Sequence, residues 1–160
     1  ENIERTQTLN IRAHRKDATL LDKESVEKAD IVLADVPCSG LGVIGKKTDI
    51  KYRTDEDKIQ ELAVLQKQIL HNAASYVKPG GILIYSTCTI TSEENQSNVA
   101  WFTENYPFVL ESLDPYLCEE LHSETTARGW LQLLPGVHKT DGFFLARMRK
   151  SKRSAGWTDL

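Results

Sequence analysis

Two cysteines and an aspartate stand where strand ends could bring them together. Asp35, Pro37 and Cys38 follow the apolar run Ile31-Val32-Leu33-Ala34, and Cys88 follows the run Ile82-Leu83-Ile84-Tyr85. A lone free cysteine is usually a small buried hydrophobe. Two of them at strand ends, with an acid between, point to chemistry. A thiolate can split one hard step into two easier ones through a covalent intermediate. On a cytosine ring, a thiolate adding to C6 would push electron density onto C5, which is otherwise too weakly nucleophilic to take a methyl group. An acid near N3 would stabilise the adduct, and a second thiol could assist removal of the C5 proton. A metal site is the competing use of two thiols, but no histidine pairs with either at ligand spacing. Cys118 has no such context and is expected to be inert.

The elements that must position these groups are legible in the pattern. The run at 31–34 suits a strand buried on both faces, as in a parallel sheet. Thr54 with Asp57 resembles a capping box, and Ile59, Leu62, Leu65, Ile69, Ala73 and Val77 then form one helical stripe. Pro79-Gly80-Gly81 ends that helix and turns the chain into a second buried strand at 82–85. Thr91 with Glu94 again resembles a capping box and opens a helix through Val99, Trp101 and Phe102. Residues 1–10 read as a helix end, 11–18 as a short strand, and 108–113 and 142–149 as late strands. Residues 119–139 read mostly as loop, holding Trp130 and the turn at Leu134-Pro135-Gly136. Strand and helix alternate, so the class is α/β with a largely parallel sheet. One domain is expected over 1–150 and a basic tail over 151–160. Ligands in such sheets sit beyond the carboxyl ends of the strands, where Asp35, Cys38 and Cys88 fall.

Composition bounds the rest. The 160 residues suffice for one core, and 40% hydrophobic with 27% charged residues is ordinary for a globular protein. No run approaches the roughly 18 apolar residues of a membrane span. Three cysteines without tight spacing suit a reducing cytoplasm. A net charge of −3 argues against generic polyanion binding. Any nucleic-acid surface must therefore be local, at Lys46, Lys47, Lys51 and Arg53, or at Arg147, Arg149, Lys150, Lys152 and Arg153.

Three longer motifs carry a family resemblance. Leu33-Ala34-Asp35-Val36-Pro37-Cys38-Ser39-Gly40 with Gly42-Val43 is one. Tyr85-Ser86-Thr87-Cys88-Thr89 with Glu93-Glu94-Asn95 is the second. Leu134-Pro135-Gly136 with Thr140-Asp141-Gly142-Phe143-Phe144 is the third. Together they resemble the RsmB/Sun family of RNA cytosine-C5 methyltransferases. The resemblance implies a partial Rossmann-like S-adenosylmethionine-dependent methyltransferase fold, lacking its first two strands. It implies methyl transfer from S-adenosylmethionine to a cytosine C5 in RNA, 16S rRNA being the expected partner, without a metal. Cys88 would be the nucleophile and Cys38 would assist product release. Asp35 would meet the cytosine ring and the donor, and Asp17 would contact the donor's adenine. Lys47, Asp49, Lys51 and Tyr52 fall in a stretch that approaches RNA in relatives, with no individual role assigned.

The family's glycine-rich turn after the first strand and its ribose-binding acid are not found in this sequence, and Gly80-Gly81 precedes a strand, so it is no substitute. The chain is therefore expected to be inactive alone, with an open sheet edge that refolds 11–17 against itself, self-associates or leaves it unstable. The competing reading is a non-catalytic RNA-binding or assembly module. An amino-methyltransferase fits poorly, because Asp35-Val36-Pro37-Cys38 stands where a Pro-Pro-Tyr motif would be.

Overall fold

The computed structural model describes residues 2–46 and 55–152. Five strands form a single sheet: β1 (Ala29–Asp35), β2 (Val77–Thr87), β3 (Phe108–Leu110), β4 (Trp130–Leu133) and β5 (Phe143–Lys150). The helices are α1 (Asn2–Arg5), α2 (Glu56–Tyr76), α3 (Gln96–Asn105) and α4 (Glu124–Arg128). The sheet order is β1-β2-β5-β3, and β4 also pairs with β5.

The α/β class is as expected, but the pairing is mixed. Only β1 and β2 are hydrogen-bonded in parallel, whereas β5 runs antiparallel to β2, β3 and β4. Strands β1 to β4 therefore all point one way. The last strand inserts between β2 and the β3/β4 edge, which converts the other contacts to antiparallel ones. Strands β3 and β4 share one edge of β5 end to end, pairing with residues 148–150 and 143–146 respectively.

Helices α2 and α3 cover one face. Leu70, Ala73 and Ala74 of α2 and Val99 and Phe102 of α3 pack on Leu83, Tyr85, Phe144, Ala146 and Met148. The buried stripe of α2 is Ala63, Gln66, Leu70, Ala73 and Ala74, rotated from the expected one, with Leu62, Leu65 and Ile69 only half-buried. Asp55 caps α2 by accepting from Lys58 N at 2.8 Å. The expected cap, Thr54, lies outside the described residues. The helix stops at Tyr76 before reaching Pro79, and Val77 already opens β2. The Pro79-Gly80-Gly81 segment lies within β2, where the register against β1 shifts between Ala29 and Ile31. Lys150 stitches β5 to the end of α2, donating to Ala74 O at 3.3 Å and Val77 O at 2.8 Å. A cation there suits the negative end of a helix.

Several other elements differ from expectation. Residues 11–17 take no regular structure and pair with no strand, so the expected strand at 11–18 is absent. No described strand precedes β1, and a strand exists only where a neighbour satisfies its amides. For the same reason β1 is an edge strand that is not buried on both faces: Ile31 is 61% and Leu33 65% exposed. Strand β3 ends at Leu110, short of the expected 113. Within 119–139, expected to be mostly loop, lie α4 and β4. Ser123 caps α4 reciprocally with Thr126, and Gly129, in the left-handed region at φ 105°, ends it.

Candidate active site

Parallel pairing sets the site. Asp35 stands opposite Ser86, so the loops leaving β1 and β2 start side by side. Cys38 and Cys88 then meet, with Sγ atoms 3.3 Å apart, and both are half-buried. Asp35 is on the same rim, its exposed side chain oriented by Ser86, whose hydroxyl donates to Oδ1 at 2.8 Å. The sequence-level grouping of Cys38, Cys88 and Asp35 is thus what the fold assembles. Asp17 lies apart from them, in an exposed turn where Oδ1 accepts from Thr19 N at 2.9 Å and Thr19 Oγ1 at 2.6 Å. Those bonds hold its carboxyl below the usual range. Asp17 lines a cavity of about 550 Å³ with Ala18, Leu20, Ile31 and Val32. Cys118 is exposed, on the segment between β3 and α4.

Burial pushes the Cys38 thiol up to about 12, and the adjoining Cys88 adds to the shift. Cys38 is therefore held protonated at neutral pH, and its S–H can donate across the 3.3 Å contact.

The loops are locked by backbone contacts. Gly42 N donates to Cys88 O at 3.0 Å, and Gly142 N donates to Gly42 O at 2.8 Å. A Cβ on Gly42 would lie 2.4 Å from Gly142 O and 2.7 Å from Cys88 O, so only glycine fits. All three sequence motifs therefore meet at Gly42.

Beneath the thiols lies a polar network whose roles the sequence did not reveal. Asn95, fully buried, accepts from Thr87 Oγ1 at 2.6 Å and donates to Thr89 O at 3.1 Å and Gln132 Oε1 at 2.8 Å. It brackets Cys88 on both sides. The side chain is spent on that loop, and α3 starts after it without a side-chain cap. Glu94 likewise is not part of a capping box; it accepts from Ser39 and Gln66 as well as Thr91. Gln66 also donates to Pro37 O at 2.9 Å. A glutamine within the buried stripe of α2 was the available signal.

The basic clusters are partly consumed by the fold. Lys46 pairs with Asp141 at 2.6 Å, and Arg147 and Arg149 both pair with Glu111. Lys47, Lys51, Arg53 and Arg153, with Asp49 and Tyr52, lie outside the described residues. Among the described residues, no helix is long and apolar enough to cross a membrane.

Comparison with known proteins bears on this arrangement. The family profile of 16S rRNA methyltransferase RsmB/F matches residues 1–149. Ribosomal RNA small subunit methyltransferase F of Escherichia coli is 34% identical over 152 residues, covering 94% of this chain and 32% of the relative. The chain thus spans about a third of the length of the curated relatives it matches. The crystal structure of PH0851 is similar with a TM-score of 0.82 and 37% identity, over 92% of this chain and 33% of that one. That of NSun6 from Pyrococcus horikoshii with SFG is similar with a TM-score of 0.74 and 28% identity, over 95% of this chain and 38% of that one.

Proposed function

Because the chain belongs to the 16S rRNA methyltransferase RsmB/F family, we propose that it forms the catalytic carboxyl-terminal part of an RNA cytosine-C5 methyltransferase acting on 16S rRNA. The observation that carries this reading is the 3.3 Å contact between Cys38 and Cys88 at adjoining strand ends, with Asp35 on the same rim.

The roles are those the family resemblance implies, and the thiol contact supports them. Cys88, as thiolate, adds to C6 of the cytosine, and the C5=C6 electrons move into the ring toward N3. Asp35, oriented by Ser86, is the acid that delivers a proton to N3 as that charge forms and takes it back when the C5=C6 bond re-forms. S-adenosylmethionine, when bound, supplies the electrophilic methyl group that C5 takes. The C5 proton then leaves to a base, the C5=C6 bond re-forms, and the Cys88 sulfur departs. Cys38 is the group placed to assist this last step. While Cys88 is free, Cys38 stays protonated and hydrogen-bonds to it. Once Cys88 is a neutral thioether, the like charge beside Cys38 is gone, so Cys38 can yield its proton to solvent and, as thiolate, take the C5 proton.

The donor's fit to the residues present is partial. The cavity at Asp17, walled by Ala18, Leu20, Ile31 and Val32, suits an adenine edge, with Asp17 Oδ2 open to accept from an amino group. Asp35 would border the other end of the donor. Contacts to its ribose and amino-acid portions would come from residues outside this sequence, so the chain by itself is expected to be inactive.

The test uses the full-length protein. Cys88→Ala should lose both methyl transfer to 16S rRNA and the covalent protein–RNA complex. Cys38→Ala should still add and should accumulate that complex on a denaturing gel. Wild-type methylation by Cys88→Ala would overturn the assignment, and RNA binding without any methyl transfer by the wild type would favour an assembly module.

A further inference from the structure

Glu94 is fully buried, yet its four hydrogen-bond partners are all neutral. Oε1 accepts from Ser39 N and Gln66 Nε2, each at 2.9 Å. Oε2 accepts from Ser39 Oγ at 2.5 Å and Thr91 Oγ1 at 2.8 Å. Four donors occupy the two carboxyl oxygens, so the buried side chain is satisfied without a counter-ion.

The arrangement is also directional. A carboxylate only accepts, so the Ser39 hydroxyl must donate to it. Ser39 Oγ is then left as the acceptor for Thr89 Oγ1, at 2.7 Å. The resulting chain runs from Thr89 to Ser39 to Glu94. Ser39 follows Cys38 and Thr89 follows Cys88, so one carboxylate ties together the residues next to both thiols. Its own backbone carbonyl is held from below by Tyr85 Oη at 2.5 Å.

We infer that Glu94 is a positioning residue that fixes the separation of Cys38 and Cys88 through the Ser39–Thr89 link. This deepens the reading above, since a pair held at 3.3 Å is what the proposed release step requires. An apolar side chain cannot replace it. Leu at this position leaves Ser39 N and Gln66 Nε2 without their acceptor and unties Ser39 Oγ from Thr91. Gln can keep the contacts, its oxygen toward Ser39 N and Gln66 Nε2 and its amide toward the two hydroxyls, which accept as well as donate.

The experiment needs neither RNA nor methyl donor, so its failure is separable from failure of the cytosine chemistry. In the full-length protein, the Cys38–Cys88 pair is equilibrated with reduced and oxidised glutathione, and the disulfide fraction is read by mass spectrometry. The two thiols lose two protons and two electrons to the glutathione disulfide, so the equilibrium reports their effective concentration. Glu94→Leu should lower that concentration about tenfold, a rise of about 30 mV in the pair's reduction potential. Glu94→Gln, which can keep the contacts, should recover most of it. Ser39→Ala, which removes the hydroxyl link but not the backbone contact, should reproduce a smaller loss and serves if Glu94→Leu does not fold. Wild-type equilibria in Glu94→Leu or, failing that, in Ser39→Ala would overturn the inference. So would Glu94→Gln proving no better than Glu94→Leu, because the bonds are what fix the pair.

Discussion

Cys38 is the residue whose environment says most about division of labour. Its thiol is raised from an ordinary 9.0 to about 12, first by burial and then by Cys88. The folded state thus favours the protonated form. That contribution to stability is complete below the ordinary thiol value and is lost as pH rises toward about 12. Alkylation by iodoacetamide, followed peptide by peptide, should give a Cys38 rate that keeps climbing well above pH 9 in the full-length protein. In Cys88→Ser the neighbouring charge is gone while burial persists, so the profile should move to lower pH yet stay above that of a free cysteine. A Cys38 profile levelling near pH 8.5 in the wild type would contradict this. Both thiols were legible in the sequence, because a residue just past a buried strand lands on the rim whatever the loop does. Gln66 was given no role and Glu94 only that of a helix cap, since their meaning lies in partners 55 and 28 residues away. Asp17 was assigned by resemblance alone, and the fold gives it a cavity without bringing it to the thiols.

At the scale of elements, the parallel β1–β2 pair and the glycine contact above it do the positioning. Gly42 sits between Cys88 O and Gly142, so an alanine methyl must displace backbone on one side or the other. Gly42→Ala is expected to destabilise the fold by about 1–3 kcal/mol, the usual range for overpacking. It should also loosen the thiol pair, because the contact it breaks is with the Cys88 carbonyl itself. Urea denaturation of the full-length protein, with the glutathione equilibrium as companion, checks both; an unchanged midpoint would mean the loops yield at no cost. The sequence located both flanking strands, since four apolar residues in a row leave little choice. It missed α4 and β4, of five and four residues, because neither is long enough to display a period. The offset in α2 has a different cause. Gln66 and Asn72 are buried for their hydrogen bonds, so the true inner face includes polar positions that a search for apolar stripes rejects.

The whole molecule is lopsided: α2 and α3 cover one face of the sheet, while Ile31 and Leu33 of the edge strand β1 stand exposed on the other. The expectation of an open edge was correct, and its proposed remedy by residues 11–17 was not, since that segment runs unpaired. An edge strand with free amides and an apolar flank is a template for another strand. Two copies meeting β1 to β1 would satisfy those amides and join their Ile31–Leu33 patches into one surface. Burial of each such side chain is worth roughly 1.5–3 kcal/mol, so two per copy make a concentration-dependent dimer reasonable. The 160-residue chain expressed alone is therefore expected to self-associate at micromolar concentration, with the apparent mass rising on concentration in sedimentation velocity. Ile31→Lys combined with Leu33→Lys places like charges along the joined surface and should restore a monomer without lowering helix content. Those lysines are far from the α2 side of the core, so lost folding is not the expected consequence. A wild-type chain that stays monomeric throughout the micromolar range, with the double variant indistinguishable from it, would show that the open edge does not drive association.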